Sequence, residues 1–329
     1  MNRLSLKEGS LPKVKYDGYN LTVGGVNIAL VYPSSNRQDI NGDPYHLGYE
    51  LVTPNRAKKM IECPACCPTR VKEEPTETQQ RGTAFHEYLA ANPLTQDGVE
   101  WPERDKEILN RYYALVDKRK RSFSDLDVET EQERLVNIQS GNRISFQREY
   151  GADKKRPIRR WTEHFDLTLM ARNDQVWRSN NEKLTKVQDL KLGGGRKTGN
   201  MMQLLCGALT NLKAGETFPK LSIYNLEKGT EEQYFSNNSE VTLKAFFHIL
   251  TWTKLLLIGG WRQPVTEHEH VRTVTAKLEN PKKKQEMLTP KTTVFIINQK
   301  SYSIAQGWEF LQSAWKRLEE TIEIEEVKL

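Results

Sequence analysis

The sequence has little cysteine and no long hydrophobic run. Four cysteines in 329 residues are too few for a disulfide framework. The most apolar stretch, residues 250–258, contains Lys254 and is well short of the roughly 18 to 20 apolar residues of a membrane span. The first fifteen residues lack the apolar segment of a secretory signal. These absences argue against disulfide-built and membrane-spanning proteins, and we expect a cytoplasmic, reducing location.

A strong excess of charge of one sign is also missing. The chain has 49 Lys and Arg residues against 43 Asp and Glu residues, for a net charge of +6. This balance permits a nucleic-acid partner without demanding one. Hydrophobic residues make up 37% of the chain, enough to fill a sizeable core. We predict a β-rich element over residues 1–50, followed by one larger domain over residues 51–329.

Hydrophobic periodicity predicts an α/β protein. The clearest helical stripe extends from Met201 to Leu212, just after Gly193-Gly194-Gly195. We expect helices over residues 56–61, 79–91, 103–121, 201–212, 241–258 and 303–323. We expect strands over residues 128–138, 143–147, 161–171, 186–192, 221–226, 233–235 and 293–298.

Two of the predicted strands carry an acidic residue in apolar surroundings. Asp166 interrupts the apolar alternation of its strand. Asp189 and Lys191 share one face of theirs, because side chains alternate along a strand. Residues 172–183 contain Asn173-Asp174 and are long enough to reverse the chain. If the two strands form an antiparallel hairpin, the carboxylates of Asp166 and Asp189 meet.

Paired carboxylates indicate a divalent cation. At short distance they repel each other and raise each other's pKa unless a cation lies between them. Hard oxygen ligands suit Mg²⁺ or Mn²⁺. Lys191 beside such a metal can polarise the attacking water or stabilise charge on a phosphate. Gln203 lies off the apolar stripe of its helix and can face the same cleft. The pattern favours phosphodiester hydrolysis.

Five separated segments together resemble the PD-(D/E)XK nuclease superfamily, in the branch of RecB-like exonucleases and the nucleases of CRISPR adaptation. In chain order they are Thr53-Pro54-Asn55 with Cys63-Pro64, RGTAFHEYL with His86, FDLTLM with Asp166, QDLK with Asp189 and Lys191, and QLLCGAL with Gln203. They cover about residues 53–235. A single DxK occurs by chance in many chains, whereas this ordered set is far more specific.

The resemblance implies a restriction-endonuclease-like core, with a mixed central β-sheet flanked by helices and a helical C-terminal part. It implies a Mg²⁺- or Mn²⁺-dependent deoxyribonuclease that acts on DNA ends or single strands. We expect an exonuclease of recombination, repair or replication. The residues it assigns to the site are the metal ligands His86, Asp166, Asp189 and the carbonyl of Leu190, the catalytic Lys191, and Gln203.

The chain also departs from the family pattern. The family often has glycine two residues before the first aspartate, where this chain has His164. It usually has tyrosine four residues after the glutamine, where this chain has Gly207. Some members hold an iron–sulfur cluster through three cysteines near the C-terminus. This chain has no cysteine after Cys206, so we expect no such cluster.

Two alternatives belong to different functional classes. The first is a DNA-binding or assembly protein that keeps the fold without catalysis. The second is a nucleic-acid-binding module stabilised by zinc at Cys63, Cys66 and Cys67. The basic runs at residues 118–121, 154–160 and 282–284 are either solvated surface or a joint phosphate track. A homo-oligomer, a recombination partner protein and a viral source stay open.

Overall fold

The fold is described from a computed structural model of the chain. It describes residues 14–16, 20–23, 26–31, 51–64, 67, 75–122, 127–148, 159–179, 183–193, 195–213, 216–259, 261, 292–297 and 299–327. Over these residues the protein is α/β, with a mixed β-sheet flanked by helices, as the sequence predicts. None of the helices in these ranges combines the length and apolarity needed to cross a bilayer.

Three helices precede the central strands and lie where periodicity predicts them. They are α1 (Pro54–Glu62), α2 (Glu77–Ala91) and α3 (Glu103–Ser122). The Thr53 hydroxyl caps α1 by accepting a hydrogen bond from the Arg56 N–H at 3.2 Å. Helix α2 begins with a reciprocal capping box between Thr76 and Gln79. These caps satisfy backbone N–H groups that a helix start otherwise leaves without partners.

The first six strands include the two longest of the sheet. They are β1 (Val14–Tyr16), β2 (Asn20–Val23), β3 (Val26–Val31), β4 (Leu51–Val52), β5 (Asp127–Arg148) and β6 (Arg159–Arg178). Strand β3 pairs with β5, so the β-rich N-terminal element joins the main sheet. The domain boundary at residue 50 stays a prediction.

The remaining elements follow in the order β7 (Leu184–Lys191), α4 (Lys197–Asn211), β8 (Lys220–Asn225), β9 (Thr230–Ser236), α5 (Ser239–Gly259), β10 (Thr292–Ile297), β11 (Lys300–Ser303), α6 (Ile304–Thr321) and β12 (Ile322–Val327). Strands β7 and β8 are parallel and are joined through α4. The sequence did not predict β4, β11 or β12 as strands.

The sheet has the order β1-β2-β3-β5-β6-β7-β8-β9-β12, with β10 beside β5 and β4 beside β6. The β4–β6 and β7–β8 pairs are parallel and the other pairs antiparallel. Helices α1, α4, α5 and α6 contribute to the first core on one face. Helices α2 and α3 form the second core, on the other face, with residues such as Trp177, Leu190 and Tyr224. Two cores on one sheet make a layered α/β architecture.

Strand β6 is longer than the sequence predicts. It continues past Ala171 to Arg178 and pairs there with both β5 and β7. Asn173-Asp174 therefore lies inside the strand, although its composition favours a turn. The chain reverses after Arg178, where the Ser179 N–H donates to the Lys183 carbonyl at 2.9 Å. Pairing with β5 on either side of Asp174, and with β7 from Gln175 onward, overrides the local turn preference of this dipeptide.

The two long strands exchange faces along their length. Ala171 and Val176 of β6 are an odd number of positions apart, so a regular strand would point them to opposite faces, yet both lie in the first core. Val128 and Val136 of β5 are an even number apart, yet they lie in opposite cores. Both strands therefore contain an irregularity between these residues. On β5 it coincides with Glu131, whose φ is 50°.

Gly207 lets α4 pack closely on the sheet. A Cβ at this position would lie 2.9 Å from Val187 Cγ1 and closer still to the amide oxygen of Asn173. Both neighbours are buried, so neither has room to retreat. This contact is a physical reason for glycine at position 207.

We predict that Gly207→Ala destabilises the protein. Alanine improves helix propensity by about 1 kcal/mol, but overpacking a close contact typically costs about 1–3 kcal/mol. The net free energy of unfolding should fall, measured by urea denaturation. Gly98→Ala is the matched control, because a Cβ there meets nothing within 4 Å. An increase in stability for Gly207→Ala would show that α4 has room to move.

Candidate functional site

Three carboxylates form a row across the middle of the sheet. The strand registers place Asp174 of β6 level with Glu131 of β5 on one side and with Asp189 of β7 on the other. Asp189 is buried, while Glu131 and Asp174 are partly buried. Burying negative charges side by side is unfavourable unless positive groups or hydrogen-bond donors compensate for it. The surroundings of the row supply several such groups.

The carboxylate of Asp174 lies between β6 and β7. Regular pairing of these strands ends with Gln175 opposite Gln188. Two residues further along β7, beyond the last pair, the N–H of Leu190 donates to the side-chain oxygen Asp174 Oδ2 at 2.7 Å. The side chain thus replaces one rung of the backbone ladder. This bond holds Asp174 at the opening between the two strands.

His86 on α2 completes a possible cation-binding group. Its Nδ1 lies 3.2 Å from Asp174 Oδ1 and 3.8 Å from Glu131 Oε1. One ligand atom from each of the three residues lies within 4.8 Å of the others. One imidazole nitrogen with carboxylate oxygens is a donor set that suits Mn²⁺ and related divalent ions. The residues therefore fit a divalent cation.

Asp189, Lys191 and Gln203 form a second group beside the first. The Lys191 ammonium lies 2.7 Å from Asp189 Oδ2. Gln203, on α4, donates from Nε2 to Asp189 Oδ1 at 2.9 Å and accepts from Lys191 Nζ at 3.4 Å. The structure thus brings together these three predicted residues. Gln203 fixes the carboxylate and the ammonium relative to each other.

The pKa values of the group reflect its crowding. Burial raises the pKa of Asp189, and the negative charge of Asp174 raises it further. Burial opposes ionisation of Asp174 too, but hydrogen bonding and charge interaction with His86 outweigh it and lower the Asp174 pKa. Burial lowers the pKa of Lys191, but the charge of Asp189 more than compensates and raises it. The row thus favours added positive charge.

His86 belongs to the same electrostatic network. Burial lowers its pKa, but the hydrogen bond and the charge of Asp174 outweigh burial and raise it. A cation at this position would take over the role of the proton, since metal ligation requires the neutral imidazole and ionised carboxylates.

The two groups meet at a cleft of about 1120 Å³. His86, Glu131, Asp174 and Lys191 line it, together with residues along α2 and the end of β7. Arg172 lines it as well and contacts Glu131. A cleft with convergent polar groups and perturbed pKa values is a typical functional site.

The predicted pairing of Asp166 with Asp189 is corrected by the strand register. Asp166 pairs with Gln139 and lies eight residues before Asp174 on β6. Eight residues of strand span roughly 26 Å, so Asp166 is not level with Asp189. The error arises because residues 172–178, which belong to β6, are predicted as part of the loop over residues 172–183. Extending β6 to Arg178 makes Asp174 the partner of Asp189.

Two residues of the group are not assigned to the site by the sequence analysis. It places Asp174 in a turn, and it offers Glu131 and Glu133 as support for the metals without ranking them above ordinary surface glutamates. The apolar Val176-Trp177 after Asp174 was the available signal for a longer strand. No sequence signal distinguishes Glu131. The carbonyl of Leu190 stays a predicted ligand, while its N–H binds Asp174.

The basic run at residues 118–121 mainly contacts groups within the protein. Arg119 lies 2.7 Å from buried Glu231, and Lys120 donates to the Leu94 carbonyl at 2.7 Å. The first basic run is thus not simply a phosphate track. Residues 149–158 and 282–284 lie outside the described residues.

The cysteine cluster is described only in part. Cys63 and Cys67 are buried thiols, and Cys67 Sγ donates to the Arg56 carbonyl at 3.2 Å. Cys66 lies outside the described residues. Among the residues that are described, no group of three potential metal ligands includes a cysteine.

The sequence matches no model of a known protein family, and no curated protein is significantly similar to it.

We predict that Asp174, and not Asp166, supports cation binding. Asp174→Asn removes a carboxylate of the group and should abolish stabilisation by Mn²⁺, measured as a shift of the Tm. Asp166→Asn is the matched control and should retain the shift, because Asp166 lies far along β6. Loss of the shift in Asp166→Asn alone would contradict the register.

We predict opposite effects of Glu131→Gly on stability and on cation binding. Glu131 has a φ of 50°, a left-handed conformation that glycine adopts without steric cost. The apo protein should therefore unfold at the same or a higher urea concentration. Its apparent affinity for Mn²⁺ should fall, because one carboxylate of the group is lost. A lower apo stability with unchanged Mn²⁺ affinity would be the contrary result.

Proposed function

We propose that the protein is a Mg²⁺- or Mn²⁺-dependent deoxyribonuclease that hydrolyses DNA phosphodiester bonds. The observation that carries the proposal is the convergence of His86, Glu131, Asp174 and Lys191 in one cleft, with buried Asp189 2.7 Å from Lys191. Carboxylates that hold a divalent cation beside a lysine are suited to phosphoryl chemistry. The resemblance to RecB-like exonucleases favours an exonuclease of recombination, repair or replication.

The arrangement of elements also supports a restriction-endonuclease-like core. The β6–β7 hairpin carries Asp174, Asp189 and Lys191, and the β7–α4–β8 crossover carries Gln203. The order of the motifs in the PD-(D/E)XK resemblance stays the same if Asp174, instead of Asp166, is the first acidic ligand. His86 comes from α2, which packs on the second core.

His86, Glu131, Asp174, Asp189 and the carbonyl of Leu190 would hold the cation. When bound, a divalent cation would supply positive charge to a phosphate oxygen and lower the pKa of a water molecule. Asp189 and Asp174 provide the negative charge that makes this position selective for cations.

Lys191 is the group that acts on the reacting phosphate. Its side chain is 30% exposed and lines the cleft, while its ammonium remains 2.7 Å from Asp189. It can stabilise the charge that develops on the phosphate or orient the attacking water by hydrogen bonding. Gln203 forms hydrogen bonds with both Lys191 and Asp189 and thereby preserves this geometry. The neighbouring carboxylates keep the lysine protonated, since they raise its pKa against the effect of burial.

A DNA-binding protein without catalysis is the alternative. It needs a positive surface but has no use for a buried Asp189 held by Lys191 and Gln203. Keeping a buried carboxylate beside another one is unfavourable for stability. The intact group therefore favours the enzyme.

The test is degradation of end-labelled linear single- and double-stranded DNA with Mg²⁺ or Mn²⁺. We expect cleavage that a chelator stops and that Lys191→Ala lowers by about 100-fold or more, because loss of one preorganised charge stabiliser costs that much. Lys316→Ala is a control, since Lys316 is exposed on α6. Survival of closed circular DNA would identify an exonuclease.

If neither metal supports cleavage while DNA binding is retained, the non-catalytic alternative replaces the enzyme. Equal activity of Lys191→Ala and the wild type would remove Lys191 from the mechanism. Stoichiometric zinc in the purified protein would support the module built on Cys63, Cys66 and Cys67.

A further inference from the structure

We propose that Arg172 binds a non-bridging phosphate oxygen of the nucleic-acid strand and exchanges its contact with Glu131 for this phosphate. The inference rests on the proposed function and adds a substrate-binding residue to it. Arg172 lies on β6, two residues before Asp174, and lines the same cleft. Its backbone is therefore anchored by the strand that carries the central carboxylate of the site.

Arg172 is the more accessible of the two strong bases in the cleft. Lys191, the other one, is 30% exposed and is held by buried Asp189. The Arg172 side chain is 66% exposed and contacts Glu131. The remaining residues that line this described cleft include neither lysine nor arginine. A phosphate entering the cleft thus meets Arg172 at its solvent side.

The contact between Arg172 and Glu131 is suited to exchange. It joins Nε of the guanidinium to Glu131 Oε2 and leaves both Nη groups for another acceptor. An exposed ion pair contributes little stability, so breaking it is easy. The planar guanidinium fork matches the oxygens of a phosphate and can bind two of them at once.

Cation binding favours this exchange. Glu131 Oε1 belongs to the group with His86 and Asp174. A cation bound there would therefore be coordinated by the same carboxylate that Arg172 contacts. Arg172 then faces additional positive charge and loses part of its counter-charge. Both changes increase the attraction of the cleft for an anion. We therefore expect Arg172 to contribute most to DNA binding when the cation is present.

The test measures binding separately from cleavage. A fluorescent single-stranded oligonucleotide is titrated with Lys191→Ala protein in Mn²⁺, with and without Arg172→Gln. We expect Arg172→Gln to weaken binding about tenfold, because a charge-assisted contact to phosphate is lost. The slope of log affinity against log salt should fall by about 1. Arg172→Lys should recover part of the affinity.

Arg104→Gln is the matched control. Arg104 is also an exposed arginine, 73% by side chain, with a single carboxylate 3.2 Å away, and it does not line the cleft. Its loss should leave both the affinity and the salt slope unchanged. A methylphosphonate scan of the oligonucleotide adds a second control. The neutral linkage that weakens wild-type binding most should have no effect on Arg172→Gln.

Three results would overturn the proposal. The first is unchanged DNA binding and salt slope in Arg172→Gln. The second is a shift only in the Mn²⁺ concentration required, with full DNA binding at saturation, which would make Arg172 a positioning residue for Glu131. The third is absence of DNA binding by the parent protein. Failure of the hydrolysis proposal alone looks different: DNA is bound through Arg172 but is not cleaved.

Discussion

The hydrogen bond from the Leu190 N–H to the carboxylate of Asp174 organises the site. It occupies the place of a backbone rung where β6 and β7 separate. Because the carboxylate accepts this N–H, the backbone donor of Leu190 has a partner at the opening. Asp174 thereby reaches His86 from one side and Asp189 from the other. The local interruption of the sheet is what brings helix and strand residues to one point.

The site also shows how the protein compensates for buried negative charge. Lys191 and Gln203 bind Asp189, while His86 and a backbone N–H bind Asp174. Each carboxylate has its own partners, yet the two still perturb each other's pKa. A single cation would satisfy both at once. This is the physical reason for proposing a metal site here rather than a purely structural ion-pair network.

Helices and strands with a regular hydrophobic pattern are predictable from the sequence, whereas irregular strands are not. The apolar stripe of α4 correctly predicted a helix that leaves Gln203 off the core-facing stripe, and alternation on β7 placed Asp189 and Lys191 on one face. On β6 the alternation of apolar and polar residues breaks after Ala171, because the long strands exchange faces near Glu131 and Asp174. The predicted strand therefore ends too early. Such an exchange depends on pairing with neighbouring strands. Periodicity within one segment contains no information about it.

The mixed origin of the site has a consequence for synthesis of the chain. His86 comes from α2 and Gln203 from α4, with three strands contributing in between. The N-terminal residues leave the ribosome first, so Asp189 and Lys191 emerge before the glutamine that holds them. A nascent chain that ends before α4 therefore contains Asp189 and Lys191 but lacks Gln203, which holds them in their final arrangement. The arrangement of Asp189, Lys191 and Gln203 is therefore complete only after the β7–α4–β8 crossover has formed.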